Sequence, residues 1–384
     1  MSRFEPIIGS WSSNNRLMLY NWQQPDWPNF KFDPGTIEDV LLAFAQETGH
    51  VSGMLNMLPE DLKLEAITNM LIAEAIKTSA IEGEYISRQD VVSSIRNQLG
   101  LNVSPDPIKD KRAQGVSELV VDVRNTYKEE LTREKLFKWH KVLLKHSKGI
   151  NLGAWRKDEA PMQVVSGSIG NEKVHFEAPP SLKVPYEMDR FLQWFNETAP
   201  GGKKEIGKPA VRAAIAHLYF ESIHPFEDGN GRIGRAIAEK ALSQTVGRPV
   251  LLSLSATIES NKSAYYSALE TAQRSNEITG WMSYFVNTVV EAQRQARQLI
   301  DLSLLKTRFF DRFKNNLNDR QLKAIRKMLE AGPEGFEGGM TARKYISITR
   351  ASKATATRDL QELVELGALI AEGKTRSTHY SINF

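Results

Sequence analysis

His224-Pro225-Phe226-Glu227-Asp228-Gly229-Asn230-Gly231-Arg232-Ile233-Gly234-Arg235 gathers an imidazole, a carboxylate, a Gly-Asn-Gly turn and two arginines into twelve residues. The stretch before it, Val211 to Ser222, is rich in Ala, Ile, Leu and Phe and predicts a buried helix. Pro225 cannot donate a backbone hydrogen bond and pushes His224 out of helical geometry, so His224 is expected just past that helix, in a fixed loop. A neutral imidazole, with a reference pKa of about 6.5, can accept a proton from an incoming hydroxyl. Gly229-Asn230-Gly231 tolerates positive φ, so successive N–H groups can converge on an anion. Arg232 to Gln244 predicts the next helix, whose N-terminus adds partial positive charge at the same point. Arg232 and Arg235, three apart, share a face of that helix and can fork onto phosphate oxygens. Asp228 is a hard oxygen ligand suited to Mg²⁺ held jointly with a phosphorylated substrate. Phe226 reads as a core anchor for the loop. Base, metal ligand, anion nest and two cations make a nucleotidyl-transfer site.

Each piece alone has an ordinary explanation, a loop histidine or a simple turn; the joint spacing carries the argument. The dodecapeptide resembles the signature of the Fic family, His-Pro-Phe-x-(Asp/Glu)-Gly-Asn-Gly-Arg-x-x-Arg, without a departure. Ala214-Ile215-Ala216-His217 and Glu221-Ser222-Ile223 resemble the helix that leads into that signature. The resemblance implies an α-helical core and transfer of AMP from ATP to a Ser, Thr or Tyr hydroxyl of a protein. It implies His224 as the base, Asp228 as the Mg²⁺ ligand, and Gly229, Asn230 and Gly231 with Phe226 around the nucleotide. Arg232 and Arg235 would meet the β and γ phosphates. A phosphorylating branch of the family has Lys in place of the second motif glycine, and Gly231 argues against that branch.

Upstream, Thr78-Ser79-Ala80-Ile81-Glu82-Gly83 closes a helical stretch expected at about 64–83, running through Leu64, Ile72 and Ile76. Gly83 is an ordinary helix stop. A carboxylate at Glu82 opposes the helix dipole and calls for a cationic partner. The run resembles the Fic inhibitory pattern (Ser/Thr)-x-x-x-Glu-(Gly/Asn), which implies that Glu82 pairs with Arg235 and blocks the γ-phosphate.

Gln163 to Val165 and Lys173 to Phe176 alternate in the manner of a β-hairpin around Ser166-Gly167-Ser168-Ile169-Gly170-Asn171. They resemble the Fic flap, which docks a target protein by strand addition and implies nucleotide contacts from Val164, Val165, Ser166 and Gly167. Tyr265-Tyr266 and Gln273 resemble the family's adenine pocket, where the last position is often Asn. Trp155-Arg156 resembles the Gly-x-(Phe/Tyr/Trp)-Arg run before the flap, with Arg156 structural. Gly202-Lys203-Lys204-Glu205-Ile206-Gly207-Lys208-Pro209 nearly spells a P-loop but lacks the final Ser/Thr and a preceding strand, and reads as a basic surface loop.

The 384 residues leave room for two or three domains, and 25% charged with 41% hydrophobic residues is an ordinary globular balance. With no Cys there are no disulfides or thiolate metal sites, which fits a reducing cytoplasm. Neither a signal peptide in Met1 to Asn15 nor an apolar run of the ~20 residues that span a membrane is evident. The expected organisation is an N-terminal helical region over 1–110, a Fic catalytic core over 111–300, and a linker helix with a winged helix over 301–384. Trp22 to Phe30 resembles the region attached to one subgroup of bacterial Fic proteins, and 282–314 reads as a long helix carrying Arg294, Arg297 and Lys306 on its surface. Beyond it come an amphipathic helix from Leu317 to Glu330 and a Gly-rich break from Gly332 to Gly339. Thr341–Ile348 and Ser352–Leu366 then read as helix-turn-helix, and Ala368–Ile370 and Thr378–Ile382 as wing strands around Gly373-Lys374.

The fold class is therefore mainly α, a Fic-type helical bundle with a β-hairpin flap and a C-terminal winged helix whose Thr355–Leu360 lies on the recognition helix. From Asn315 onward 11 Lys/Arg oppose 8 Asp/Glu, holding +3 of the chain's +4 net charge. Arg350, Lys353, Arg358, Lys374 and Arg376 would serve DNA phosphates, whereas Glu362 and Glu365 suit a protein partner. The resemblance allows a homodimer, for which no heptad or apolar run gives a signal. The sequence points to an autoinhibited adenylyltransferase using ATP and Mg²⁺. It leaves open removal of AMP by the same His224 and Glu82, and a nucleotide-sensing DNA-binding regulator.

Overall fold

The computed structural model describes residues 19–166, 173–330, 335–373 and 377–384. Five helices come first: α1 (Glu38–Met57), α2 (Glu60–Ile81), α3 (Arg88–Gln98), α4 (Lys111–Asn125) and α5 (Arg133–Leu144). The hairpin β1 (Gln163–Ser166) and β2 (Lys173–Glu177) follows. Then come α6 (Val184–Glu197), α7 (Pro209–Ile223), α8 (Asn230–Val246), α9 (Leu254–Ser260), α10 (Lys262–Ala272) and the long α11 (Thr279–Phe313). The last elements are α12 (Asp319–Leu329), α13 (Ala342–Thr349), α14 (Lys353–Glu365) and the antiparallel pair β3 (Leu369–Glu372) and β4 (His379–Ile382). None of the described helices is long and apolar enough to cross a membrane.

α7 is the spine. Every residue from Ala210 to Ile223 is buried, as a helix without a polar stripe requires. Pro209 opens it, where its missing N–H has no helical partner to lose. α8 covers one side, and α6 and α11 the others. Arg212, fully buried in α7, donates to Phe195 O (2.7 Å) and Gln244 Oε1 (2.9 Å) and thereby ties α6, α7 and α8 together. The N-terminal aromatic segment caps the same helix: Asn21 Nδ2 donates to Ser222 Oγ (2.8 Å), and Trp27 meets Tyr219 edge-on at 5.1 Å.

One apolar core runs from Trp27 to Ile300, so α1–α3 share it with α4–α11. α2 packs on α4, α9, α11 and the start of α8, which brings its C-terminus to the loop after α7. Of the three basic residues expected on the surface of α11, Arg294 is exposed and Arg297 and Lys306 are half-buried, and both arginines reach Glu47 of α1. A second core gathers Phe309 and Phe313 of α11 with Ile325, Tyr345, Leu360, Leu363 and Leu369. α13 stops at Arg350, which takes the left-handed conformation (φ 60°), and Ser352 caps α14 through Thr355 N. Of the sequence expectations, Gly167 with the rest of the flap tip, part of the Gly-rich break, Lys374 and Arg376 lie outside the described residues.

Candidate active site

α7 ends because Pro225 follows, and His224 absorbs the change by adopting φ 50° and ψ 61°. Left-handed backbone is uncommon for a side-chain-bearing residue and must be held by its surroundings. Arg156 holds it: its Nε donates to the His224 carbonyl (2.8 Å) and its backbone N to the Pro225 carbonyl (2.9 Å). Phe226 is fully buried and stacks on His140 with centroids 4.2 Å apart, so it anchors the loop as expected from its type. Burial, then the charge of Arg156, pushes the His224 imidazole down to about 4, which leaves it unprotonated at pH 7, the form a general base requires, at a cost in proton affinity.

Beside His224 lies Glu221, one turn earlier on α7, with its Oε2 3.7 Å from His224 Nδ1. Burial, reinforced by the charge of Glu82 and opposed by Arg235, raises the Glu221 carboxyl to about 8. Its Oε1 has no protein partner and sits where a side chain on Gly234 would go.

The Gly-Asn-Gly turn uses its tolerance of positive φ at one position. Only Gly229 has positive φ (82°), while Asn230 and Gly231 already belong to α8. The converging N–H groups are therefore the unpaired first-turn donors of a helix, reinforced by its dipole. Asn230 turns its side chain the other way, accepting from Phe226 N (3.0 Å) and donating to Phe226 O (2.8 Å), and so clamps the loop. Gly231 is glycine for space: a Cβ there would overlap Glu82 Oε1.

The two arginines are buried and already paired. Arg235, 1% exposed, donates from Nη2 to Glu82 Oε1 (2.8 Å) and to the Thr78 carbonyl (2.8 Å), and from Nε to Thr78 Oγ1 (2.9 Å). Burial raises the Glu82 carboxyl, but the charge and hydrogen bond of Arg235 reverse this and hold it below its ordinary value. Arg232, 3% exposed, meets Glu84 Oε2 at 2.6 Å and Asp228 Oδ1 at 3.4 Å. Thr78 and Glu84 are site residues that sequence reasoning missed. Thr78 had a signal, since it is the Ser/Thr of the run ending at Glu82; Glu84 had none.

The periphery is more mixed. Tyr265, expected at the adenine, is buried with its hydroxyl on His217 Nε2 (2.9 Å), and the partly exposed ring is that of Tyr266. Gln273 is buried, donating to the Glu221 carbonyl (3.2 Å). In the hairpin Val164 pairs with Phe176 and Val165 with Val174, the register slipping between the two valines. Val165 and Val174 are exposed and Val164 half-buried. Ser166 ends β1 opposite Lys173.

Two features fit a polyphosphate. Arg232 Nε and Arg235 Nη1 are buried donors without a protein acceptor, a costly state that an anion would relieve. Asp228 has half its side chain exposed at the start of α8. Among the described residues no group of three His, Asp or Glu could hold a metal alone, so an ion at Asp228 would draw its other ligands from phosphates and water.

Residues 130–242 match the Fic/DOC family, and residues 20–101 match a domain of unknown function, DUF4172. A protein adenylyltransferase Fic from Nematostella vectensis is 23% identical over 190 residues, 49% of this chain and 41% of that protein. One from Drosophila ananassae is 24% identical over 196 residues, 51% of this chain and 35% of that protein. The chain thus spans less than half the length of these relatives. The crystal structure of a Fic family protein from Desulfovibrio desulfuricans G20 has the same fold, with a TM-score of 0.54 at 19% identity over 92% of this chain and 98% of that one. Fic-1 from C. elegans superposes with a TM-score of 0.52 at 18% identity, over 71% of this chain and 75% of that chain. Helical bundle and hairpin agree with the folds of these structures, and residues 130–242 of the chain carry a Fic/DOC-family domain.

Proposed function

We propose that this enzyme transfers AMP from ATP to a hydroxyl of a protein and is held in check by Glu82. The observation that carries the reading is His224, fixed just past α7 by Arg156, followed within one loop by the N-terminus of α8 with its two buried arginines. In the proposed reaction His224 takes the proton of the target hydroxyl, whose oxygen bonds to the α-phosphorus. The α–β phosphoanhydride bond breaks and pyrophosphate leaves. The first turn of α8, Arg232 and Arg235 would hold the departing phosphates, and Mg²⁺ at Asp228 would neutralise part of their charge. The exposed valines of the hairpin, Val165 and Val174, suit an extended target segment added as a strand. Glu82 on Arg235 occupies the cation that the γ-phosphate would need.

Self-labelling with α-³²P-ATP and Mg²⁺ tests this in wild type, Glu82→Gly, and Glu82→Gly with His224→Ala. Strong labelling confined to Glu82→Gly is the expected result. Absence of labelling in every variant while ATP still binds would turn the reading towards removal of AMP from a modified protein.

A second reading concerns residues 301–384, proposed as a winged helix that contacts duplex DNA. The exposed residues of the first two turns of α14 are Lys353, Ala354, Thr357 and Arg358, with no carboxylate among them; Glu362, one turn on, lies 3.8 Å from Arg358. Asp359 is turned inward under the fork of Arg320 (2.9 and 3.1 Å), and Glu362 accepts from Gln321 (3.0 Å). Fluorescence anisotropy with a random-sequence duplex checks it: Lys353→Ala with Arg358→Ala is expected to weaken binding and flatten its salt dependence. Unchanged binding in that variant counts against the reading.

A further inference from the structure

Glu84 is an acidic residue at the site with no part in the proposed reaction. α2 closes in a Schellman arrangement around Gly83 (φ 79°), with Gly83 N bonded to Ala80 O (3.0 Å) and Glu84 N to Ser79 O (3.0 Å). This turn fixes two carboxylates, Glu82 and Glu84, on either side of the left-handed residue. The helix they face, α8, carries Arg232 and Arg235 three residues apart, and each arginine receives one carboxylate from this turn, Glu84 at 2.6 Å and Glu82 at 2.8 Å, with Asp228 at 3.4 Å a second and longer partner of Arg232. The two pairs have the same character, with arginines 3% and 1% exposed and carboxylates 29% and 28% exposed.

Arg232 has little left to offer an incoming ligand. Its Nη1 donates to Glu84, its Nη2 is directed at Asp228, and its Nε is buried without an acceptor. A buried guanidinium needs a counter-charge, and in this structure Glu84 is the nearer one. A phosphate arriving from solvent can reach the Nη groups only by displacing a carboxylate, and while Glu84 stays it faces like charge as well.

We propose that Glu84 is a second determinant of polyphosphate binding, one that shuts Arg232 as Glu82 shuts Arg235, so that ATP must displace two carboxylates. The proposal rests on the reading of 224–235 as a nucleotide site. It predicts that removing Glu82 opens only half of the cationic pair. It also predicts selectivity, because AMP, which lacks β and γ phosphates, does not compete with Glu84.

The test is equilibrium binding of ATP, ADP and AMP with Mg²⁺ to the full chain in a His224→Ala background, which prevents turnover. The variants are Glu82→Gly alone, and Glu82→Gly combined with Glu84→Ala, Glu84→Gln or Glu84→Asp. Thermal melts of each confirm folding, and the isosteric Glu84→Gln keeps the test valid if Glu84→Ala unfolds. The expected result is that Glu84→Ala and Glu84→Gln tighten ATP by roughly fivefold, the scale of a partly exposed ion pair, with AMP unchanged and Glu84→Asp intermediate. Weaker ATP binding in Glu84→Ala and Glu84→Gln would mean that Glu84 braces Arg232 for the phosphate, and the proposal fails. Equal tightening of ATP and AMP also overturns it, as does no change in either. Failure of the adenylyl-transfer reading would show separately, as nucleotide binding that no Glu82 or Glu84 variant converts into labelling when His224 is restored.

Discussion

Replacing Glu82 with Gln keeps the shape of the lock and removes its charge, so the cost and the gain can both be worked out. Removing one partner of a fully buried ion pair costs about 3–5 kcal/mol. Here the loss is smaller, because the Glu82 side chain is 28% exposed and Thr78 keeps its two bonds to Arg235. About 1–2 kcal/mol remains, which for a core of this size lowers the melting temperature by about 2–3 °C. The same change frees Arg235 for the γ-phosphate, and tenfold tighter ATP binding is worth about 1.4 kcal/mol at saturation. The deficit of Glu82→Gln should therefore shrink or vanish when ATP and Mg²⁺ are added. The measurement is a thermal melt with and without nucleotide, with both proteins carrying His224→Ala so that neither modifies itself. Since Arg235 holds the folded Glu82 below the ordinary value of 4.5, the wild-type advantage is full above that pH and fades as pH falls through the lowered folded value. An ATP-induced shift in Glu82→Gln no larger than in wild type would refute competition between Glu82 and phosphate.

Three other outcomes follow from the packing. His224, pushed down to about 4, stays neutral through most of the acid range, so labelling by the Glu82→Gly enzyme should hold level from pH 8 to about 5 and decline towards 4; a decline centred on 6.5 would show that burial does not set its proton affinity. Gly234→Ala forces a methyl against the buried Glu221 carboxyl and should destabilise the fold by about 1–3 kcal/mol in denaturant melts, whereas an unchanged midpoint would mean that Glu221 has room to move. Arg320→Ala leaves Asp359 buried with only Tyr345 at 2.9 Å among the side chains bonded to its carboxylate, so hydrogen exchange should accelerate in α12–α14 by about 2 kcal/mol of lost protection while α7 and α8 are unaffected.

How much of the site was legible depends on how far apart in sequence its partners lie. His224, Asp228, Arg232 and Arg235 fall on one loop and one helix, so spacing alone sets their neighbourhood. Glu82 was legible for a different reason: an acidic residue at a helix C-terminus before Gly83 is unfavourable unless a cation meets it, the resemblance of its run to the Fic inhibitory pattern implied Arg235 as that cation, and the two are paired at 2.8 Å. Glu84 obeys no such local rule. It lies beyond the helix, where a carboxylate needs no explanation, and only the packing of α2 against α8 shows that it closes Arg232 across 148 positions of sequence. The same limit governs Tyr265 and Tyr266. Their adjacency on α10 puts them on different faces, but which face turns inward is decided by His217 and Trp281, residues of other helices. Asn230 marks a third case, in which residue type was informative and its use was not. An amide suits both a turn and an N-terminal helix position, and it became a clamp on Phe226 because α8 begins two residues earlier than its apolar periodicity suggests. What escapes sequence reading at this site is therefore specific: the long-range pairing of charges that require each other only after the helices have packed.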